Sequence, residues 1–263
     1  MSEARNNYKL RDEIKDYWSL RAEKFDLSVG HEIFTQSERD AWYQLITKHI
    51  GAGKGRKALD LASGTGVISH LLFDLGFQTT GLDWSETMLA KAREKSEIRK
   101  SDIKFIIGDA ENTMQPLGTF EVITMRHLVW TLVDPKAAMQ HWFDLLQSGG
   151  KLLIVDGNFK QADWRRRLIK RIAALFSMFE GEDRHGRDAQ MMKTHNHILQ
   201  RVYFNQGVTS VAVVEMLTDI GFEQIIVQTD LSTIHRAQAK GLGFFKFLDR
   251  SVQHRFAISA SKP

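Results

Sequence analysis

The 263-residue chain contains no cysteine. That absence excludes a disulfide framework, thiolate zinc sites, iron–sulfur clusters and a cysteine nucleophile, and it fits a reducing compartment. Prolines number only three, while 43% of residues are apolar and 26% charged. Such a chain is not dominated by disorder, collagen-like repeats or low-complexity tails. No stretch approaches the ~18 consecutive apolar residues of a membrane span. The polar opening Met1-Ser2-Glu3-Ala4-Arg5 also lacks an apolar signal segment, so the expected address is the cytoplasm. Basic and acidic residues nearly balance, 36 against 32, and a net charge of +4 does not by itself point to nucleic acid. The length exceeds the roughly 150 residues of an ordinary domain but suits one α/β domain with additions.

What the chain does have is nineteen glycines, several of them at informative places. The apolar run 57–62 ends in Ser63-Gly64-Thr65-Gly66 and is followed by the helix-like 67–76, a strand–turn–helix pattern. A second strand over 77–82 ends at Asp83, with Ser85 as N-cap of the next helix. Further strands are predicted over 103–107 and 120–124. Asp134-Pro135 should start a helix reaching about Leu146, after which Gly149-Gly150 turns the chain into a strand over 151–155. Strands alternating with helices argue for a doubly wound, mostly parallel sheet covered on both faces. The C-terminal segments 224–228 and 255–260, separated by a helix around Arg236 to Arg250, should complete its far edge as antiparallel strands. Seven strands are expected in a single domain. Residues 1–50 read as an N-terminal helical lid, 51–157 as the cofactor-binding core, 158–206 as an inserted helical cap, and 207–263 as the completion of the sheet.

Ligands of such sheets lie at the carboxyl ends of the strands, which directs attention to Gly64 and Gly66, and to Asp60, Asp83 and Asp109. A dinucleotide fingerprint would need a third glycine where Ser69 stands, and no Tyr-x-x-x-Lys pair follows a later strand, so a nicotinamide oxidoreductase is disfavoured. Four segments agree in order and spacing: Ala58 to Gly66, Gly81 to Leu89, Gly108 to Glu111, and Leu145 to Leu152. Together they closely resemble the class I S-adenosylmethionine-dependent methyltransferases, most of all the ubiquinone/menaquinone-type and natural-product group. The pattern's first loop glycine is Ala62 here, and its proline before the double glycine is Ser148.

The resemblance implies roles by position. Ala62, Ser63, Gly64 and Gly66 would surround the methionine part of the cofactor, with Asp60 beneath them. Asp83 would hold the ribose, Trp84 and Met88 would flank the adenine, and Asp109 with Ala110 would meet its edge. Tyr17 and Arg21, four apart on the first helix, would reach the methionine carboxylate. The segment after the fourth strand should face the transferring methyl. There His127 is the candidate catalytic base or acceptor-orienting group and Arg126 the group orienting an anionic part of substrate or cofactor, with His31, at the mouth of the site, a second catalytic candidate acting on the substrate.

Methyl transfer is an in-line displacement that needs alignment more than a conspicuous catalytic group. The implied acceptor is a small molecule under the cap, where Trp164, Phe176, Met178, Phe179, Met191 and Met192 should line an apolar cavity. His195 and His197, two apart on a helix with His185 nearby, do not suggest a metal site. Arg165-Arg166-Arg167 with Lys170 and Arg171 reads as the solvated face of an amphipathic helix, making nucleic acid an unlikely partner. The Asn-Pro-Pro-aromatic segment of many nucleic-acid amino methyltransferases is missing: Arg126-His127-Leu128-Val129 stands there instead. RNA methylation and cofactor binding without catalysis stay open as alternatives. A monomer or homodimer is expected.

Overall fold

The computed structural model describes residues 2–27, 29–160, 164–177 and 189–263. A seven-stranded sheet of order β3-β2-β1-β4-β5-β7-β6 forms its centre. β1 (Lys57–Leu61) pairs in parallel with β2 (Gln78–Asp83) and β4 (Phe120–Arg126). β3 (Lys104–Ile107) extends one side and β5 (Leu146–Asn158) the other, both in parallel. β7 (His254–Ser261) runs antiparallel to both β5 and the edge strand β6 (Glu223–Gln228). The doubly wound, mostly parallel architecture with an antiparallel C-terminal edge is therefore the one expected from the sequence.

The sheet is buried on both faces, and strand periodicity divides the core. Leu59 and Leu61 of β1 join Ile123, Trp142, Leu152 and Ile258 on one side, while Ala58 joins Ile46, Leu72, Val122 and Leu153 on the other. Local chemistry starts the covering helices. The side chains of Ser85, Asp134 and Thr209 accept the backbone N–H of Met88, Ala137 and Ala212, opening α4 (Glu86–Arg99), α5 (Pro135–Leu145) and α8 (Ser210–Ile220). α3 (Val67–Asp74) begins directly after left-handed Gly66. α1 (Ser2–Phe25) and α2 (Gln36–Ile50) precede the sheet, and α6 (Trp164–Ser177) and α7 (Ala189–Arg201) follow β5. Leu10, Ile14 and Tyr17 of α1 pack on Ile198 of α7 and on Val202, forming a small core of their own. Among the described residues, no helix is long and apolar enough to cross a membrane.

Several local expectations change. Gly149-Gly150 does not turn the chain into a strand: β5 starts at Leu146, opposite Phe120, and the residues up to Lys151 bulge before pairing resumes with Val122. The single helix expected near Arg236 to Arg250 is broken into α9 (Ser232–Gln238), a 3₁₀ turn at Ala239–Gly241, and α10 (Phe244–Ser251). Gly241 lies in the break against Val29, whose Cγ2 would be 2.9 Å from an added Cβ. Gly81 is needed for packing, since a Cβ there would meet the Phe105 ring at 2.6 Å and Ser69 Oγ at 2.9 Å.

Of the apolar stripe of α6, Trp164, Leu168 and Ile172 do not form the roof expected of them: they are exposed. α6 is anchored instead through Arg166, whose Nε donates to Asp249 of α10 at 2.9 Å and whose Nη1 donates to the Phe159 carbonyl at 3.0 Å. One member of the basic run is thus a buried structural cation, while Arg165, Arg167 and Arg171 are exposed.

Trp142 is completely buried and donates its indole N–H to the Ala110 carbonyl at 2.7 Å. Trp142→Ala should cost about 3–5 kcal/mol, through the lost volume and the carbonyl left unpaired. Chemical denaturation checks this, with the denaturant midpoint expected to fall.

Candidate active site

The carboxyl ends of the parallel strands open onto a cavity of about 350 Å³. One end is built by the loop after β1. Ala62, Gly64 and Gly66 have φ of 52°, 55° and 83°, three left-handed residues that curl the chain tightly before α3. Gly66 has to be glycine, because a Cβ would approach the Phe105 ring to 3.0 Å and Ala92 Cβ to 3.2 Å. Ala62 adopts the same backbone region at a cost of about 1–2 kcal/mol. The Gly64 N–H donates to Asp83 Oδ2 at 2.9 Å and the Ser63 N–H to the Leu82 carbonyl at 2.9 Å, tying the loop to the end of β2. Thr65 Oγ1 donates to Asp26 at 2.6 Å, just beyond α1. Ser63 Oγ is buried without a protein partner.

Asp60 and Asp83 sit at this end. Burial pushes the Asp83 carboxyl up to about 6, against the pull of backbone donors from Ser85, Gly64 and Trp84. Burial likewise raises Asp60 to about 7, opposed by Ser69, whose Oγ donates at 2.6 Å, by the charge of Arg126, and by Thr124 Oγ1 at 3.3 Å. Trp84, Met88, Asp109 and Ala110 continue the wall. Asp109 Oδ1 accepts the Glu111 N–H at 2.8 Å. Glu111, which sequence reasoning did not single out, pairs with Arg11 at 2.9 Å and accepts the N–H groups of Val133 and Asp134.

From α1, the wall is formed by Trp18, Arg21 and Phe25, three to four residues apart on one face. The Arg21 guanidinium lies 5.2 Å from the Trp18 ring centre and 5.8 Å from that of Phe25. Tyr17 does not reach the cavity as expected. Its ring is buried between α1 and α7 and stacks on His195 at 5.5 Å, and it is His195 that lines the cavity. The apolar contacts with Ile198 and Val202 turn that side of α1 toward α7.

The other end carries the imidazoles. His127 follows β4 with φ of 59°, the kind of strain found where a side chain is aimed for function. Its Nδ1 is buried without a hydrogen-bond partner, 3.9 Å from Oδ1 of the buried Asp156. His31 packs edge-on against Phe25 at 4.2 Å. Burial, followed by the charges of Arg126, Arg21, Arg250 and Arg255, lowers His31 to about 3. Burial and the charges of Arg255 and Arg126 also hold His127 well below the ordinary histidine value. Both rings are therefore neutral at pH 7. Asp156 is raised by burial to about 7 while accepting backbone N–H groups from Gly157, Trp130 and Val129.

The cap side is closed by Phe159, Lys160, His195, Leu199 and Phe204. Of the residues expected there, Trp164 and Met192 are exposed, and Met191 packs against the α1–α7 core. The Phe176 side chain, Met178, Phe179 and His185 lie outside the described residues. His197 faces Glu13, with 3.5 Å between Nδ1 and Oε2. Asp156, Phe159 and Arg255 were missed. Asp156 directly follows the strand expected over 151–155 and so carried a readable signal, although β5 runs on to Asn158; Arg255 reaches the site only through long-range antiparallel pairing.

The site thus joins a curled glycine loop with an unpartnered hydroxyl, two buried carboxylates, an apolar wall and a cationic end. These are the donor, acceptor and apolar groups that a nucleoside linked to an amino acid requires, so S-adenosylmethionine fits this residue set. The comparisons agree. A family model described as a methyltransferase domain matches residues 52–207, and the chain belongs to that family. A demethylmenaquinone methyltransferase of Renibacterium salmoninarum is 29% identical over 145 residues, covering 55% of this chain and 59% of the relative. A ubiquinone/menaquinone biosynthesis C-methyltransferase of Shewanella sediminis is 26% identical over 210 residues, 78% of this chain and 80% of that one. In structure, phosphoethanolamine N-methyltransferase 2 of Haemonchus contortus, solved with S-adenosylmethionine, superposes with a TM-score of 0.63 at 14% identity. That match covers 93% of this chain and 57% of the other. The chain thus spans little more than half the length of some of these relatives. The fold is that of the class I S-adenosylmethionine-dependent methyltransferases.

If Asp83 holds a ribose, its carboxylate must be ionised to accept two hydroxyl donors. Since burial raises its pKa to about 6 in the free protein, cofactor binding would then expel a proton below that pH. Affinity for S-adenosylhomocysteine should be full above pH 6 and fall by up to about tenfold per unit below it. Calorimetry across pH checks this. Asp83→Asn should weaken binding by about 1.5–3 kcal/mol at pH 7.5 and flatten the profile.

Proposed function

We propose that the protein transfers the methyl group of S-adenosylmethionine to a small-molecule acceptor held beneath α1 and α7. The observation that carries this reading is the continuity of one cavity from the Gly64–Asp83 end to the His127–His31 end. The cofactor supplies an activated methyl on a sulfonium; the chain's own residues align the partners and exclude water. In this reading Ala62 to Gly66, Asp60, Asp83 and Asp109 position the cofactor between Met88, Trp84 and Ala110, while Arg21 faces its carboxylate. Aromatic groups close the other end: Trp18 meets Trp130 edge-on at 6.2 Å, and Phe159 contacts His127 at 5.2 Å.

His127 is the general base, taking the proton that the acceptor's nucleophile releases as the methyl arrives. A neutral imidazole can accept that proton, and Asp156 behind it would stabilise the resulting cation after a shift of less than about 1 Å toward hydrogen-bond distance. α1 acts as the lid and residues 158–206 as the cap, supported by the shared α1–α7 core over the cavity; the lid expected over 1–50 does not include α2, whose Trp42, Leu45 and Ile46 pack in the core against the sheet. The site of action in this reading is the cytoplasm, where a small-molecule methyltransferase meets its cofactor.

Incubation with methyl-labelled S-adenosylmethionine and a fractionated cell extract should place label in the small-molecule fraction. Label in RNA would support RNA methylation, and binding without transfer would support a sensor. His127→Ala should lower turnover at least about 100-fold while leaving S-adenosylhomocysteine affinity within about twofold of wild type. Unchanged turnover would assign His127 a structural role.

A further inference from the structure

Two guanidiniums face the cavity without a carboxylate of their own. Arg126 ends β4 opposite Val155, and Arg255 lies on β7 opposite Gly157. Val155 and Gly157 are two residues apart on β5, so the arginines emerge on the same face of the sheet, on either side of that strand. Two inter-strand spacings and two residues of rise put their Cα atoms about 12 Å apart, a span that two arginine side chains bridge by converging on one group. Gly157 makes the space: a Cβ there would lie 3.0 Å from Arg255 Cγ.

Neither guanidinium forms a salt bridge among the described residues. Arg255 donates from Nε and Nη2 to Gln253 Oε1 at 3.0 and 2.8 Å and lies 5.4 Å from the Phe159 ring centre. Arg126 makes one long bond, from Nη2 to the His31 carbonyl at 3.5 Å, and lies 5.4 Å from the Trp42 ring centre. The carboxylates whose fields reach them are Asp60, Glu38 and Glu32 for Arg126, and Asp156 for Arg255. Asp60 and Asp156 are themselves driven toward neutrality by burial. Burial and the charges of Arg250 and Arg126 lower Arg255 to about 9. Both arginines are half-buried; cations withdrawn from water are ordinarily paired, and two that repel across a cavity create a field that an anion would relieve.

We infer that the acceptor carries an oxyanion, a carboxylate or a phosphate, clamped between Arg126 and Arg255. This specifies the acceptor of the methyl-transfer reading and rests on it. The cofactor's own carboxylate is not the group concerned. Arg255 stands three strands from β1, about 14 Å across the sheet. Arg21 is the nearer cation to the glycine loop, lying over Phe25, whose ring would be 3.9 Å from a Cβ on Gly64. Next to the clamp, Phe159 and Trp130 offer aromatic surface to the rest of the acceptor.

The test uses benzoate and phenyl phosphate against neutral benzamide, titrated into the full chain with and without saturating S-adenosylhomocysteine. At least one anion should bind at least about tenfold more tightly than benzamide, a preference lost in Arg255→Gln and partly restored in Arg255→Lys. S-adenosylhomocysteine affinity should stay within about twofold in Arg255→Gln, with melting temperature confirming a folded variant. Benzoate preferred over phenyl phosphate identifies a carboxylate, and the reverse a phosphate. No preference for either anion, or no binding of any probe at millimolar concentration, overturns the inference. Loss of S-adenosylhomocysteine affinity in Arg255→Gln also overturns it, by assigning the arginine to the cofactor. Failure of S-adenosylhomocysteine to bind wild type would overturn the methyl-transfer reading instead, while anion preference without it would still report on the clamp.

Discussion

The buried carboxylate of Asp60 is the interaction on which the rest of the site depends. It sits in β1, the central parallel strand, and accepts the Ser69 hydroxyl from α3 and the Thr124 hydroxyl from β4. Those bonds link the strand before the glycine loop, the helix after it, and the strand that delivers Arg126 and His127. The loop between Leu61 and Val67 therefore has both ends fixed, and its three left-handed residues can be held in a conformation that would otherwise cost free energy. Where a dinucleotide fingerprint has its third glycine, Ser69 supplies the hydroxyl that Asp60 needs, so the departure from that fingerprint has a structural use.

Asp60 also stands between the two electrostatic halves of the cavity. On the β2 side the acidic Asp83 and Asp109 receive backbone donors. On the β5 side Arg126 and Arg255 surround two imidazoles. The neutrality of His31 and His127 follows from that second half: burial disfavours their charged forms, and the neighbouring guanidiniums add to the penalty. A base kept neutral in this way can accept a proton, but it pays an electrostatic cost in doing so. An anion between the arginines would cancel part of their field and make protonation of His127 easier. Acceptor binding and proton acceptance would then be coupled through charge alone, without movement of the backbone.

How much of this was legible in the sequence follows from chain distance. Asp60, Ala62, Gly64, Asp83, Met88 and Asp109 fall within one run of fifty residues, each near the end of a strand, in the turn that follows or in the first turn of the next helix. Position at the strand ends singled out Asp60, Gly64, Asp83 and Asp109, the resemblance added Ala62 and Met88, and capping chemistry at Ser85 and Asp134 located the helices. Spacing said less about α1. Tyr17 and Arg21 share a helical face by periodicity, yet the apolar contacts of Leu10, Ile14 and Tyr17 with α7 draw Tyr17 into a core, leaving Trp18, Arg21 and Phe25 to the cavity. The α6 stripe misled in the same way, because its amphipathic pattern does not say which face meets protein. The part-buried Arg166–Asp249 pair settles that orientation, and the two residues are 83 positions apart.

Arg255 shows why the acceptor end resists sequence reading. Parallel strands deliver their carboxyl ends to the ligand edge, so β1, β2 and β4 contribute residues that follow them. β7 runs the other way and contributes from its beginning, where a strand pattern gives no reason to look. Its register opposite Gly157 brings a cation from nearly the end of the chain beside the end of β5. The cavity's cofactor end is thus assembled from consecutive strand–helix units, whereas its acceptor end draws on α1, β4, β5, α7 and β7. Changes at any of these five places can alter the acceptor pocket without disturbing the Asp60–Ser69–Thr124 links. On physical grounds, one cofactor geometry is compatible with many acceptors on this fold, and in this chain the half-buried arginines narrow the choice by charge.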